Sequence, residues 1–282
     1  MNQRKSLKEL NLLDKFLFDE AMDDPENVKT MLDIILSQNT NLKHPPQTEK
    51  EQRTSTDNRQ IRLDVYAIDE DDVIYEVEAQ KENTHNLPKR SRLYQGIIDS
   101  KLLPPGVVDF NLLNEVLIVL IMPFDLFGYG LYRYTFQMKC QEIPELKLDD
   151  GATRIFLNTK GKHPESVSPE LIELLKYMEH STDEVSEACE SKRIQEMHRR
   201  VCQIKASEKT EVKYMQSWEE RIMIKQEGIA EGRIEGEKVL LKSLIEKKMA
   251  KKYSAEQISA MLEVDVSEVE NIMKEIQNEK YL

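Results

Sequence analysis

The sequence predicts an α/β domain built on a mixed sheet flanked by helices and followed by an all-α C-terminal extension. Three observations carry this. The run IRLDVYAIDEDDVIYEVEAQ, Ile61 to Gln80, alternates apolar and polar residues on both sides of an acidic turn, the pattern of a β-hairpin. A helical stretch and then the apolar run Val116 to Met122 come next, and strand, helix, buried strand is the order of a crossover to a parallel neighbour. Beyond about residue 180 charged residues dominate and apolar positions recur only at helical spacing.

Taken in order, Leu7 to Met22 carries Leu10, Leu13, Phe16, Leu17 and Met22 at near-helical spacing. Asp24-Pro25 then offers an N-cap and a first-turn proline for a second helix through Leu36. Ser37 to Gln60 has almost no large apolar residue and is expected as a long loop. After the hairpin, Asn86-Leu87-Pro88 opens a helix whose stripe is Leu93, Tyr94, Ile97, Ile98 and Leu102, ended by Pro104-Pro105-Gly106. Tyr132 to Cys140 and Thr153 to Leu157 are expected as two further strands, set off by Gly128, Gly130 and Asp149-Asp150-Gly151. Ser168-Pro169 starts a helix to about His180.

The domains expected are 1–180 for the α/β domain, 181–237 for a charged helical arm, and 238–282 for a small helix-turn-helix-like unit. Gly228, Gly232 and Gly236 recur every four residues in the arm, which suits either a close helix approach or a weak, hinge-like helix. Two capping-box patterns, Ser254 with Gln257 and Ser267 with Glu270, mark the last helices. Glu268, Glu270 and Glu275 on the final helix oppose phosphate, which favours protein contact or self-association there over DNA reading.

Composition bounds the function. At 282 residues and a net charge of -12, the chain is no general nucleic-acid coat, so any DNA contact needs a local basic patch. The three cysteines, Cys140, Cys189 and Cys202, are scattered and in no CxxC spacing, which indicates neither a disulfide framework nor a zinc site and suits a reducing cytoplasm. No signal-type apolar segment opens the chain, and Val116 to Met122 is too short to cross a bilayer, so no membrane association is expected. The five histidines are scattered and read as structural or exposed.

Chemistry is concentrated in the hairpin. Strand alternation turns Asp64 away from the Ile61, Leu63, Val65, Ala67 face and lines up Glu76, Glu78 and Gln80 on one side of the second strand. An Asp and a Glu on neighbouring strands suit a hard divalent cation and phosphodiester chemistry. On pattern alone, a half-buried hairpin with a solvated acidic face is the commoner reading.

Several segments in order then change that balance: LLDKFLFDEAMDDPE, RLDVYAIDEDDVIYEVEAQ, PKRSRLYQGIIDSKLLPPG, IVLIMPFDLFGYGLYRYTF, IFLNTKG and EGIAEGRIEGE. Together they resemble the PD-(D/E)XK nuclease superfamily, and within it the recombination-promoting nuclease/putative transposase family of Rpn type. The resemblance covers most of the chain. It implies a restriction-endonuclease-like core and Mg²⁺-dependent DNA cleavage, with Mn²⁺ as an alternative ion, linked to recombination or mobile elements. Asp64 matches the motif aspartate and Glu78 the acidic position of the (D/E)XK element, and these two with the Ala79 carbonyl are the metal ligands implied. Gln80 stands where the superfamily has lysine, and Leu63 where it has proline before the aspartate. Gln80 can hydrogen-bond a water but cannot take its proton. Lys89 or Arg90, at the start of the next helix, is the expected source of the missing charge, while Lys81 faces the wrong side. Glu76 is a supporting or alternative ligand, and Asp14 and Glu20 on the first helix are weaker candidates. DNA is the expected partner, with self-association through the C-terminal helices. A catalytically reduced nuclease fold, acting as a DNA-binding or protein-interaction module, is the second expectation.

Overall fold

The computed structural model describes residues 4–52 and 61–279. Among these, one six-stranded sheet runs in the order β1-β2-β3-β4-β6-β5. Its strands are β1 (Gln47–Gln52), β2 (Ile61–Ile68), β3 (Ile74–Ala79), β4 (Val116–Met122), β5 (Arg133–Phe136) and β6 (Ala152–Asn158). The first three are antiparallel, β3, β4 and β6 are parallel, and β5 returns antiparallel to β6. The sheet is therefore mixed, and its parallel centre is buried: every residue of β3 is buried. This is what the uninterrupted apolar run of β4 requires, since a strand covered on both faces has no solvated side to alternate with.

Helices cover both faces. On one, α1 (Lys15–Met22), α2 (Pro25–Leu36), α4 (Pro169–Glu179) and α6 (Lys192–Ala206) join Val65, Tyr75, Val77, Val119, Ile121 and Leu157 in a continuous core. On the other, α3 (Leu87–Asp99) sets Leu87, Tyr94, Ile97 and Ile98 against Ile74, Ile118, Leu120 and Phe156. Asp24 caps α2 as its residue type suggests, its side chain accepting from the Glu26 amide. The loop before β5 is tied by Asp125, whose carboxylate accepts from the amides of Phe127, Gly128 and Gly130 and from the Tyr134 hydroxyl. Gly161 lies against the Tyr132 ring, where a Cβ would come within 2.3 Å of Cγ, so only glycine fits.

Several elements differ from the sequence reading. The single helix expected over Leu7 to Met22 is broken: a 3-10 turn, Leu7–Glu9, is closed by a capping box between Ser6 and Glu9, and α1 starts afresh after Asp14. The loop expected from Ser37 to Gln60 contains β1, a polar edge strand held by backbone pairing that no apolar pattern announces; its last part, 53–60, lies outside the described residues. The strand expected from Tyr132 to Cys140 stops at Phe136.

Beyond residue 180 the chain folds onto the core rather than forming an arm at once. Ile194, Met197 and Val201 of α6 are fully buried, so the first compact unit runs to Tyr214. The long α7 (Glu208–Met249) follows and carries Gly228, Gly232 and Gly236 with open space where each Cβ would stand. The second unit, Met215–Leu282, has its own small core of Ile245, Ile258, Val269 and Ile276, formed with α8 (Ala255–Leu262) and α9 (Val266–Glu279). The capping box at Ser254 and Gln257 forms. The one expected at Ser267 does not, because α9 already begins at Val266, with the Asp265 carbonyl accepting the first helical amides.

Candidate active site

The β2–β3 ladder is registered from Ile68↔Ile74 to Val65↔Val77, and its next step would set Asp64 opposite Glu78. On the other side of β2, pairing skips the same residue: Thr48↔Val65 and Lys50↔Leu63 are paired, with Glu49 between them at φ 47°. Broken pairing re-aims side chains, a device common beside active sites. Asp64 is thus released from both ladders yet stays buried, 5 % exposed.

Around it four carboxyl groups converge. Asp64 and Asp19 of α1 share the Lys15 ammonium, at 2.5 Å and 3.2 Å. Glu78 meets the Arg90 guanidinium at 2.5 Å, and the same Arg90 nitrogen donates to the Gln80 amide oxygen. Glu76 is fully buried, and neither of its carboxylate oxygens has a hydrogen-bond partner. Glu78 Oε2 is in the same condition. The Ala79 backbone amide faces the Asp64 carboxylate and opposes the rise that burial imposes on it.

The electrostatics follow from this crowding. Burial pushes Glu78 up to about 7 against the opposing pull of Arg90, with Asp64 adding to the rise. Burial also carries Asp19 to about 7 despite Lys15. Glu76 is raised well above the usual carboxylate range by burial, then by Glu78 and Asp64. Asp64 is raised by burial even though Lys15 opposes it. Lys15 itself is desolvated, but Asp64 and Asp19 outweigh that and hold it above its ordinary value. Four carboxylates face two cations, so full ionisation leaves two negative charges uncompensated.

That deficit, with three orphaned buried oxygens, fits a divalent metal ion. Orphaned acceptors in a dry site are costly unless something pairs them, and an all-oxygen donor set is the kind hard cations take.

Of the residues singled out from sequence, the fold brings Asp64, Glu76, Glu78, Gln80 and Arg90 into one cluster, with the amide of Ala79, whose carbonyl is the expected ligand, facing Asp64. Lys89 is exposed; it lines the outer part of a cleft of about 390 Å³ together with Arg62, Asn86, Arg90, Leu93 and Tyr94. Lys81 turns the other way and pairs with Asp14. Asp14 and Glu20 are held elsewhere, the first by Lys81 and the Asn11 amide, the second by Lys213 at 2.8 Å. Sequence reasoning missed Lys15 and Asp19. Their signal was an i,i+4 pair on α1, which puts both on one helix face, but which face meets the sheet is set by packing.

Among the described residues no helix is long and apolar enough to cross a membrane. No curated protein and no solved structure gives a significant match. Residues 15–228 match the family described as PD-(D/E)XK nuclease family transposase. The match runs from the α1 lysine through the sheet and into α7, so it contains every residue of the carboxylate cluster. With its mixed sheet between helices and its acidic hairpin, the chain belongs to the PD-(D/E)XK nuclease family of transposases.

Proposed function

We propose that the chain is a metal-dependent DNA endonuclease that hydrolyses phosphodiester bonds in recombination or in the movement of mobile elements. The observation that carries this is the convergence of Asp19, Asp64, Glu76 and Glu78 with three carboxylate oxygens buried and unpartnered. Asp64 and Glu78 would hold the ion, with Glu76 and Asp19 in reach of the same charge. Mg²⁺, or Mn²⁺ in its place, supplies there the positive charge that polarises the scissile phosphate and lowers the pKa of the attacking water.

The side chains do the rest. Arg90 stands in for the superfamily's lysine: it is permanently charged and already bonded to both Glu78 and Gln80. Gln80 is oriented by that bond and by its own donation to the Glu82 carbonyl, so its amide can position a water but cannot accept the proton. Lys15 opposes the rise that burial imposes on Asp64 and holds its carboxylate in place. Lys89, exposed in the cleft it shares with Arg62 and Arg90, supplies a local cation of the kind that a chain of net charge -12 needs to meet a phosphate backbone, while Arg62 is paired with Glu49 and Glu51 and Arg90 with Glu78. Self-association through the C-terminal helices is part of this reading, supported by the exposed Ile229, Ile234 and Leu240 of α7, and sedimentation of the intact chain checks it. Three free cysteines support a reducing, cytoplasmic setting.

Nicking of supercoiled plasmid in Mg²⁺ and in Mn²⁺, beside Asp64→Ala and Glu78→Ala, tests the proposal. Metal-dependent nicking lost in both variants supports it, and unchanged cleavage in both overturns the assignment of the site. A parent chain inert in every metal while still retaining DNA would mark a catalytically reduced module instead.

A further inference from the structure

We propose that Asp183, His198 and Cys202 form a second metal site in the first unit, suited to a borderline-soft divalent cation of the Zn²⁺ type. His198 and Cys202 lie one turn apart on α6 and so share a face, while Asp183 opens α5 (Asp183–Glu187) beside them. His198 Nε2 is 2.8 Å from Asp183 Oδ1 and 3.3 Å from Cys202 Sγ, and the sulfur is 3.9 Å from the same carboxylate oxygen. In a tetrahedral zinc site with metal–oxygen and metal–nitrogen bonds near 2.0 Å and metal–sulfur bonds near 2.3 Å, such ligand pairs are about 3.3–3.5 Å apart. Each observed separation is within about half an ångström of that triangle.

The imidazole is held as a ligand would be. His198 is 8 % exposed, and its other ring nitrogen, Nδ1, is 3.0 Å from the hydroxyl of the fully buried Tyr177, whose ring meets it edge-on at 5.5 Å. That contact holds the ring plane with Nε2 toward Asp183, while the Cys202 sulfur lies beside the ring, 3.9 Å from Nδ1; the Tyr177 hydroxyl can accept from Nδ1–H in the tautomer that leaves Nε2 open to a metal, the kind of outer partner metal-bound histidines have. The triad sits at the mouth of a cleft of about 440 Å³, which admits a water as fourth ligand. Lys205 in the same lining is tied to the Ser181 carbonyl at 2.9 Å.

Thiolate and imidazole prefer Zn²⁺ to Mg²⁺ or Mn²⁺, so this site and the all-oxygen cluster at Asp64 select different ions. On binding, the Cys202 thiol gives its proton to solvent, and thiolate and Asp183 together balance the ion's charge. The bound ion would pin the short α5 to α6. Scattered cysteines and histidines hid this from the sequence, because the pair on α6 is in no zinc-finger spacing and its third member is an aspartate fifteen residues before His198.

The test uses the full chain stripped of metal and titrated with Co²⁺, then Zn²⁺. One equivalent of Co²⁺ is expected to give a thiolate-to-cobalt charge-transfer band that stoichiometric Zn²⁺ displaces. Cys202→Ser should abolish the band, Asp183→Asn should weaken Co²⁺ binding roughly 10-fold or more, and Cys140→Ser and Cys189→Ser should leave both unchanged. Asp64→Ala should also leave the band intact, which separates this site from the proposed nuclease centre. Thermal melts confirm that each variant is folded; should His198→Gln fail to fold, Cys202→Ser and Asp183→Asn, at less buried positions, decide alone. No band in the parent chain, or a band that persists in folded Cys202→Ser, overturns the site.

Discussion

The β2–β3 hairpin buries carboxylates at both ends, and the two ends treat them in opposite ways. Asp69, at the turn, is 6 % exposed and fully engaged: it accepts from the amides of Asp71 and Val73 and from the Tyr75 hydroxyl at 2.6 Å. Glu76, one residue past Tyr75, is wholly buried with no partner and with Glu78 and Asp64 as neighbours. Burial alone therefore says little about a carboxylate's purpose. The first has donors built around it and holds a turn together; the second sits among like charges, an arrangement that a folding requirement does not explain and that a cation would complete.

The contrast can be broken most sharply at the open end. Asp64→Ala or Glu78→Ala should lower plasmid nicking by about 1,000-fold, roughly 4 kcal/mol of lost transition-state stabilisation. Asp69→Ala should leave nicking per folded molecule near the parent value. Equal losses at both ends would erase the distinction.

Arg90→Ala should reduce nicking by about 100-fold, roughly 2.7 kcal/mol. Gln80→Lys should also reduce it, because a lysine there meets the Arg90 guanidinium that now bonds Gln80. The double variant, with Arg90→Ala and Gln80→Lys together, should recover activity over either single change. A double variant no better than the worse single one would show that Arg90 does not replace the usual lysine.

At the closed end the effect is on stability. Asp69→Ala leaves two amides and a buried hydroxyl without their acceptor and should cost about 3 kcal/mol in denaturant unfolding, with or without metal. A loss that vanished in excess Mg²⁺ would contradict a purely structural role.

The smallest effect concerns pH. Glu78 rises from 4.5 to about 7 in the folded chain, so it binds a proton more tightly folded than unfolded. Its contribution is complete below the unfolded value and is lost as pH climbs through about 7. Chelated protein should thus melt lower at pH 8 than at pH 6, and Glu76→Gln should recover roughly 1–2 kcal/mol at pH 8 by removing a competing charge. Saturating Mg²⁺ should flatten the profile. A chelated parent equally stable at both pH values would remove the electrostatic argument for the cation.

Much of this was written locally in the chain. Alternation over Ile61 to Gln80, the apolar run of β4, the Asp24-Pro25 start of α2 and the Asn86 to Pro88 start of α3 each depend on neighbours a few residues away, and each element formed there. The same local geometry put Glu76, Glu78 and Gln80 on one ladder and turned Lys81 away. β1 escaped because an edge strand of QTEKEQ is held by backbone pairing to β2 and needs no apolar face. The α6 segment reads as part of a charged helical arm because its buried stripe, Ile194, Met197 and Val201, is sparse among charges.

What only the tertiary structure decided is which charges meet. Sequence determined that an acidic hairpin precedes a helix with Lys89 and Arg90 in its first turn. The rotation of α3 then chose Arg90 for Glu78 and left Lys89 in solvent. Packing of α1 on the sheet chose Lys15 and Asp19 over Asp14 and Glu20, and packing of α5 on α6 brought Asp183 to His198 and Cys202. The physical reason is one of range: backbone periodicity acts over a turn or a strand step, whereas pairing across helices and strands depends on their relative rotation, which the whole core fixes at once.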